Sequence, residues 1–110
     1  MTDNIDITLL LLAIDNYDYY SKTQRDILKI FVKTSIKGIT KVNTTFIAEQ
    51  LNVSRTSVYK AIDKFTAEKN ISIKKGSNTK QRNIIINSKS MLTIIEFYKV
   101  KQSIMNSNPQ

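Results

Sequence analysis

The chain has 110 residues, a formal net charge of +8 at pH 7, and neither cysteine nor histidine. This size fits a single domain, and the missing side chains exclude disulfides, zinc-type metal sites, thiol nucleophiles and imidazole bases. The excess of basic residues favours an anionic partner, with nucleic acid ahead of an anionic membrane surface. We therefore expect a binding protein that is not an enzyme and that holds no cofactor and no metal.

The first twenty residues predict a short helix in a soluble, cytoplasmic protein. No basic segment opens the chain, and the apolar run at residues 9–14 is too short to span a bilayer. Because that run is continuous, we expect a helix within residues 1–20, with a buried strand as the alternative. The charged residues of this segment are all acids, namely Asp3, Asp6, Asp15 and Asp18. Bases dominate residues 54–89 instead, which indicates an oriented surface.

A second helix is predicted over residues 21–36. Ser21 is a favourable N-cap for it, and Gly38 is a favourable stop. Basic side chains recur every four residues and so share one stripe, namely Arg25, Lys29, Lys33 and Lys37. We interpret this stripe as a solvated face, with contact to nucleic-acid phosphates as the alternative.

Residues 44–69 have the pattern of two short helices joined by a tight turn. The residues that can cap the first helix are Asn43, Thr44 and Thr45. That helix runs to Leu51, Asn52 tolerates the left-handed backbone of the turn, and Ser54 caps the second helix. The apolar side chains expected in the shared core are Ala48, Leu51, Val53, Val58, Ile62 and Phe65. This arrangement predicts a helix-turn-helix unit.

The second helix of this unit has a polar side that faces away from the core. The N-terminal end of such a recognition helix enters the DNA major groove, where Arg55 and Lys60 can donate hydrogen bonds to guanine. The candidate DNA-binding residues of the two helices are Thr44, Thr45, Ser54, Arg55, Thr56, Ser57, Tyr59, Lys60 and Lys64. For Asp63 we favour an ion pair with Lys60 or Lys64 over a contact with cytosine.

Residues 71–87 predict a two-stranded hairpin. Ile71 and Ile73 alternate with polar residues, residues 84–86 form a second β-branched run, and residues 76–79 supply turn chemistry. A basic hairpin directly after a recognition helix is the wing of a winged-helix domain. Its candidate DNA-binding residues are Lys74, Lys75, Asn78, Lys80 and Arg82. The alternatives are a merely solvated hairpin and a helical unit used only for protein contacts, which the local excess of base disfavours.

The last predicted helix, residues 90–105, is apolar on two sides. Its second stripe consists of Phe97, Val100 and Ile104. Because one helix of a small domain cannot bury two stripes against its own core, we expect a homodimer built from the terminal helices, with a different protein partner as the alternative. The pattern does not decide which stripe faces the second copy. The residues assigned to the interface are Leu9, Leu10, Leu12, Met91, Ile94, Ile95, Tyr98 and Met105.

Taken together, the elements predict a mainly α protein with a small β-hairpin, that is, a winged helix-turn-helix domain over residues 1–110. Three segments resemble the winged-helix repressors of the ArsR type, namely IAEQLNVSRTSVYKAIDKF, ISIKKGSNTKQRNIII and MLTIIEFYKVKQSIM. The metal sensors of that family use cysteine and histidine ligands, which this chain lacks, so metal sensing does not carry over.

The chain also resembles the TubR family, the centromere-binding proteins of tubulin-based plasmid and phage partition. The resemblance lies in NTTFIAEQLNVSRTSVYKAIDKF, in the short wing and in the terminal helix. It implies a homodimer that loads side by side on tandem double-stranded DNA repeats, engages the tubulin-like GTPase TubZ and also represses its own promoter. In that family the start of the recognition helix and the wing contact DNA, which here are residues 54–60 and 74–82. The alternative is a repressor with no role in partition.

Overall fold

A computed structural model describes residues 5–74 and 81–107. In these ranges the chain is mainly helical with a small antiparallel sheet, and the winged-helix prediction is confirmed. The elements are α1 (Ile7–Asp15), α2 (Lys22–Thr34), β1 (Ile39–Asn43), α3 (Thr44–Leu51), α4 (Arg55–Ala67), β2 (Ile71–Ile73), β3 (Gln81–Ile86) and α5 (Ser88–Ser107).

Side-chain caps determine where α2, α3 and α4 begin. Ser21 and Gln24 form a reciprocal capping box at the start of α2. Asn43, one of three candidates, caps α3 by accepting a backbone N–H at 3.0 Å. Ser54 caps α4 by accepting the backbone N–H of Ser57 at 3.0 Å. Each cap satisfies a donor that the helix itself leaves unpaired.

The end of α2 differs from the prediction. The helix stops at Thr34, and a left-handed pair at Lys37 (φ 54°) and Gly38 (φ 81°) turns the chain into β1, a strand that was not predicted. The hydroxyls of Thr34 and Thr40 meet at 2.6 Å across this turn. The tertiary pairing of β1 with β3 therefore overrides the helical pattern that continues through Ile36.

The three strands form one antiparallel sheet in the order β1-β3-β2. The predicted hairpin is present, with Ile71 opposite Ile86 and Ile73 opposite Ile84. On the other side of β3, Val42 of β1 lies opposite Arg82. Because side chains alternate along a strand, the even-numbered residues of β3 face the helices. The wing is thus the extension of a sheet packed on the helical core.

The first apolar stripe of α5, which consists of Met91, Ile94, Ile95, Tyr98 and Met105, packs inside the chain except for Met105, contrary to its assignment to the dimer interface. Four residues of that assignment are buried in the chain's own core, namely Leu10, Met91, Ile94 and Ile95. They are covered because α5 packs against α1, so these side chains cannot reach a second copy. Leu9 and Tyr98 are half-buried against the same core. Leu12 and Met105 are the members of the assigned set that stay exposed.

A cluster of tyrosines binds the segment after α1 to the end of α4. Tyr20 is buried and donates its hydroxyl to the carboxylate of Glu68, which also accepts from Tyr19 at 2.8 Å. Lys64 lies 3.3 Å from the same carboxylate. Burial alone would raise the pKa of Glu68, but the hydrogen bonds from Tyr20, Tyr19 and Lys64 outweigh it and lower that pKa. The ionised carboxylate therefore stabilises the fold.

We expect Glu68→Gln to lower the free energy of unfolding at pH 7 by about 1–2 kcal/mol. Because the folded-state pKa of Glu68 lies below its unfolded value of about 4.3, its contribution is present above that pH and is lost as pH falls through the folded pKa. Urea unfolding at pH 7 and at about pH 3 measures this. The matched control is Glu96→Gln, since Glu96 is largely exposed and lies 4.0 Å from Lys99. Equal pH dependence in the two variants would refute the prediction.

Candidate nucleic-acid interface

The turn between α3 and α4 has the geometry that a helix-turn-helix unit needs. Asn52 ends α3 in the left-handed region, at φ 56° and ψ 48°. The backbone N–H of Val53 donates to the carbonyl of Ala48 at 2.9 Å. Ala48 is buried at the crossing, where a larger side chain would separate the helices. This turn holds α4 firmly while leaving one of its sides uncovered.

The uncovered side of α4 is polar at the N-terminal end. The opposite side is core, formed by Val58, Ala61, Ile62 and Phe65. Arg55, Thr56 and Lys60 are exposed, and none of their three side chains makes a hydrogen bond or ion pair to any residue that the structure describes. Ser57 is half-buried and its hydroxyl lies 3.0 Å from that of Ser54. The predicted reading edge therefore has three uncommitted polar side chains, with the positive end of the helix dipole beside them.

Three of the residues predicted to contact DNA, Thr44, Tyr59 and Arg82, form a chain of contacts with one another. Thr44 is fully buried and donates its hydroxyl to the hydroxyl of Tyr59 at 3.2 Å. The guanidinium carbon of Arg82 lies 5.3 Å from the centre of the Tyr59 ring. The assignment of Thr44 to the DNA surface is wrong, because the first turn of α3 points this side chain into the interface with α4. Tyr59 and Arg82 are half-buried in the same place.

The ammonium group of Lys64 interacts with side chains of its own chain. Besides its ion pair with Glu68, its ammonium lies 4.9 Å from the centre of the Tyr19 ring. The predicted ion pair of Asp63 with Lys60 or Lys64 is wrong, because Glu68 lies one turn further along α4 and takes Lys64. Asp63 is exposed and has no ion pair within residues 5–74 and 81–107.

The wing is described at its base only. Lys74 is exposed, and its backbone N–H donates to the carbonyl of Asn83 at 2.6 Å, which closes the hairpin. The other predicted residues of the tip, Lys75, Asn78 and Lys80, lie outside the described residues. Their contact with DNA stays a prediction.

The first turn of α3 adds a feature that the sequence pattern did not indicate. Phe46 is 60% exposed there, beside the exposed Thr45. Ile47 and Ala48 form the buried side of α3, and Phe46 falls outside that stripe. The helical spacing of Phe46 relative to that stripe was the sequence feature from which its exposure could have been predicted.

Two of the four residues of the basic stripe predicted on α2 are paired with acids, Arg25 with Asp18 at 3.7 Å and Lys29 with Asp15. Arg25 donates to the carbonyl of Tyr20 at 2.9 Å, and Lys29 lies 2.6 Å from Asp15. The hydrogen bond with Asp15 raises the pKa of Lys29. Lys37 lies beyond the end of α2, so it is not part of the stripe. Pairing within the chain thus accounts for Arg25 and Lys29, whereas Lys33 and Lys37 are exposed to solvent.

The part of the chain that the structure describes has neither a cluster of metal ligands nor a membrane-spanning helix. No group of three or more histidine, cysteine, aspartate or glutamate side chains there could hold a metal ion. Of the helices in the same ranges, none has the length and apolarity needed to cross a membrane.

Comparison with known proteins identifies the fold. No protein-family model matches the chain, and no curated protein does. A solved structure of a possible transcriptional regulator from Methanosarcina mazei Go1 is similar over 93% of this chain and 88% of that one, at 12% identity and a TM-score of 0.53. RV1404 from Mycobacterium tuberculosis is similar over 94% of this chain and 71% of that one, at 11% identity and a TM-score of 0.54.

The chain therefore shares its fold with these two proteins. At 11–12% identity these likenesses establish the fold alone. The resemblance to the TubR family stays a prediction.

Proposed function

We propose that this protein is a sequence-specific binder of double-stranded DNA. The observation that carries the proposal is the set of uncommitted polar side chains, Arg55, Thr56 and Lys60, at the N-terminal end of a helix whose other side is core. In this arrangement α4 enters the major groove, where Arg55 donates to the O6 and N7 of guanine. The base of the wing lies along the neighbouring phosphates, and Lys74 is the basic residue of the described part of the wing that contacts them.

The distribution of ion pairs supports an anionic partner at this surface. Acids near α1 are matched by bases, since Asp15 pairs with Lys29 and Asp18 lies 2.7 Å from Lys101. The hydrogen bond from Lys101 lowers the pKa of the Asp18 carboxyl. The bases of the proposed reading edge have no such partner among the described residues. Arg55 and Lys60 therefore give this surface unpaired positive charge that an anionic partner can neutralise.

We further propose that the protein binds DNA as a homodimer through the second stripe of α5. Phe97, Val100 and Ile104 are 52%, 56% and 64% exposed, although all three are large and apolar. A cavity of about 340 Å³ lies among them and is bordered by the Asp18–Lys101 ion pair. Exposed apolar rows of this kind are buried in two-fold interfaces. A dimer presents two recognition helices to a palindromic or repeated site.

The finer proposal is a centromere-binding adaptor, and it rests on the resemblance to the TubR family. In that role the dimers load cooperatively on tandem repeats and link the DNA to a filament of the tubulin-like GTPase TubZ. The likeness to a possible transcriptional regulator favours a second candidate, a repressor that binds a single operator.

Footprinting on the DNA upstream of the protein's own gene separates these candidates. The adaptor protects a cluster of direct repeats with cooperative filling, and it sediments with TubZ filaments only when that DNA is present. The repressor protects one operator and leaves TubZ in the supernatant. Protection of no site at moderate salt would refute DNA binding itself.

We expect Lys74→Ala to weaken binding to all DNA sequences equally. Loss of one phosphate contact reduces the slope of log K against log salt by about one. Fluorescence anisotropy titrations at several salt concentrations measure this slope on cognate and random duplexes. Lys99→Ala, which removes the same charge from an exposed position of α5, is the control and should leave the slope unchanged. An unchanged slope for Lys74→Ala would show that the wing base does not contact phosphate.

A further inference from the structure

Arg82 lies on the face of β3 that otherwise carries apolar side chains packed against the helices. It alternates with Ile84 and Ile86, both buried against the helices, and it lies opposite the buried Val42. An arginine in such a position is unusual, since charged side chains are seldom turned toward a core. This departure from the strand pattern marks Arg82 for a role other than packing.

The surroundings of Arg82 do not satisfy its hydrogen-bonding capacity. Its Nε is buried and finds no acceptor in the part of the chain that the structure describes. The guanidinium instead stacks over the ring of Tyr59, 5.3 Å from its centre. A buried donor without an acceptor destabilises a fold, so an aliphatic residue here would be the more stable choice.

Tyr59 connects this arginine to both helices of the helix-turn-helix unit. It lies one turn after Arg55 on α4, and its hydroxyl accepts from Thr44, the first residue of α3. One ring thereby contacts the start of α3 and the strand of the wing while being part of the recognition helix. Ring stacking and a hydroxyl bond together fix the orientation of Tyr59.

The contact lies at the point where the wing leaves the sheet. The last described hydrogen bond of the hairpin joins Lys74 to Asn83, the neighbour of Arg82. A side chain that anchors β3 at this point holds the described base of the wing against α4. Lys74 is thereby connected to α4 through the neighbouring residues Asn83 and Arg82 and the ring of Tyr59.

We propose that Tyr59 and Arg82 are positioning residues that lock the wing at a fixed angle to the recognition helix. This inference rests on the proposed function, since it concerns how two DNA contacts are kept in register. With the lock in place, α4 and the wing bind one duplex together, and the wing contributes without first being ordered. Without it, α4 still reads its bases, but the contribution of Lys74 is lost.

A double-mutant cycle tests the lock. In the wild-type background we expect Lys74→Ala to weaken cognate binding about three- to tenfold, and in the Tyr59→Leu background less than about twofold. Tyr59→Phe, which keeps the ring, should retain the full effect of Lys74→Ala. The base preference set by Arg55 should persist in all these variants. Equal losses in the wild-type and Tyr59→Leu backgrounds would overturn the proposal, whereas a wild-type protein that binds no DNA would overturn the proposed function instead.

Arg82→Leu provides the second variant in case Tyr59→Leu does not fold. Because leucine suits the inward position, we expect Arg82→Leu to raise the melting temperature. In the Arg82→Leu background, Lys74→Ala should weaken cognate binding less than about twofold, as in the Tyr59→Leu background. A residue that served only structure would give a lower melting temperature. Either that result, or the full weakening of binding by Lys74→Ala in the Arg82→Leu background, would contradict the positioning role of Arg82.

Discussion

If the proposed homodimer forms through the second stripe of α5, Val100→Glu converts it into a monomer and weakens its binding to a two-site DNA by about 10²–10⁴-fold. Val100 lies in the middle of the exposed stripe of α5, between Phe97 and Ile104. A glutamate there would have to be buried without a partner in the interface, which costs more than the apolar contacts supply. Monomers then lose the effective concentration that links the two half-sites.

Sedimentation velocity and DNA titrations measure the two parts of this prediction. Binding to a single half-site should be nearly unaffected by Val100→Glu, because the reading edge of α4 is intact. Asn106→Glu adds the same charge to an exposed position about 120° around α5 and serves as the control. A Val100→Glu protein that still sediments as a dimer would exclude this stripe as the interface.

Arg55→Ala is expected to cost about 1–3 kcal/mol of binding free energy at a cognate site and to relax the preference at one base pair. The side chain is exposed and has no partner among the described residues. Its removal should therefore leave the melting temperature unchanged, and the loss reports on DNA contact alone.

Competition binding with a set of single-base variants of the site measures this change. The affinity for random DNA should fall much less than the affinity for the cognate site, because the guanine contact exists only at the latter. Equal losses on both would show that Arg55 contacts phosphate and does not read sequence.

Local chemistry made much of the fold predictable from sequence. Ser21 and Ser54 begin helices because their hydroxyls accept backbone donors of the first turn. Asn52 adopts the left-handed conformation that was expected of it. The burial of Val58 and Phe65 follows from helical spacing alone. In each case the deciding interaction lies within a few residues along the chain.

The wrong predictions concern residues whose structure is determined by partners far away along the chain. Residues 39–43 become a strand because β3 pairs with them, and β3 is about forty residues away. Glu68 takes Lys64 because the tyrosines after α1 hold that carboxylate in place. Helical periodicity identified two apolar stripes on α5 but contained no information on which of them α1 covers.

The reading edge was the more predictable part of the candidate site. Arg55, Thr56 and Lys60 are exposed as the helical wheel indicates. The contacts of Tyr59 depend on Thr44 and Arg82, which lie 15 and 23 positions away along the chain. The alternation of Arg82 with Ile84 and Ile86 was visible in the sequence, but its meaning required knowing which face of β3 the helices cover.

Methylation interference at guanine N7 tests the central claim most directly, because N7 lies in the major groove. With the wild-type protein, we expect methylation of at least one guanine in each half-site to block binding. With Arg55→Ala, the interference should disappear at one guanine and persist elsewhere. Binding that is indifferent to N7 methylation throughout the site would contradict the entry of α4 into the major groove.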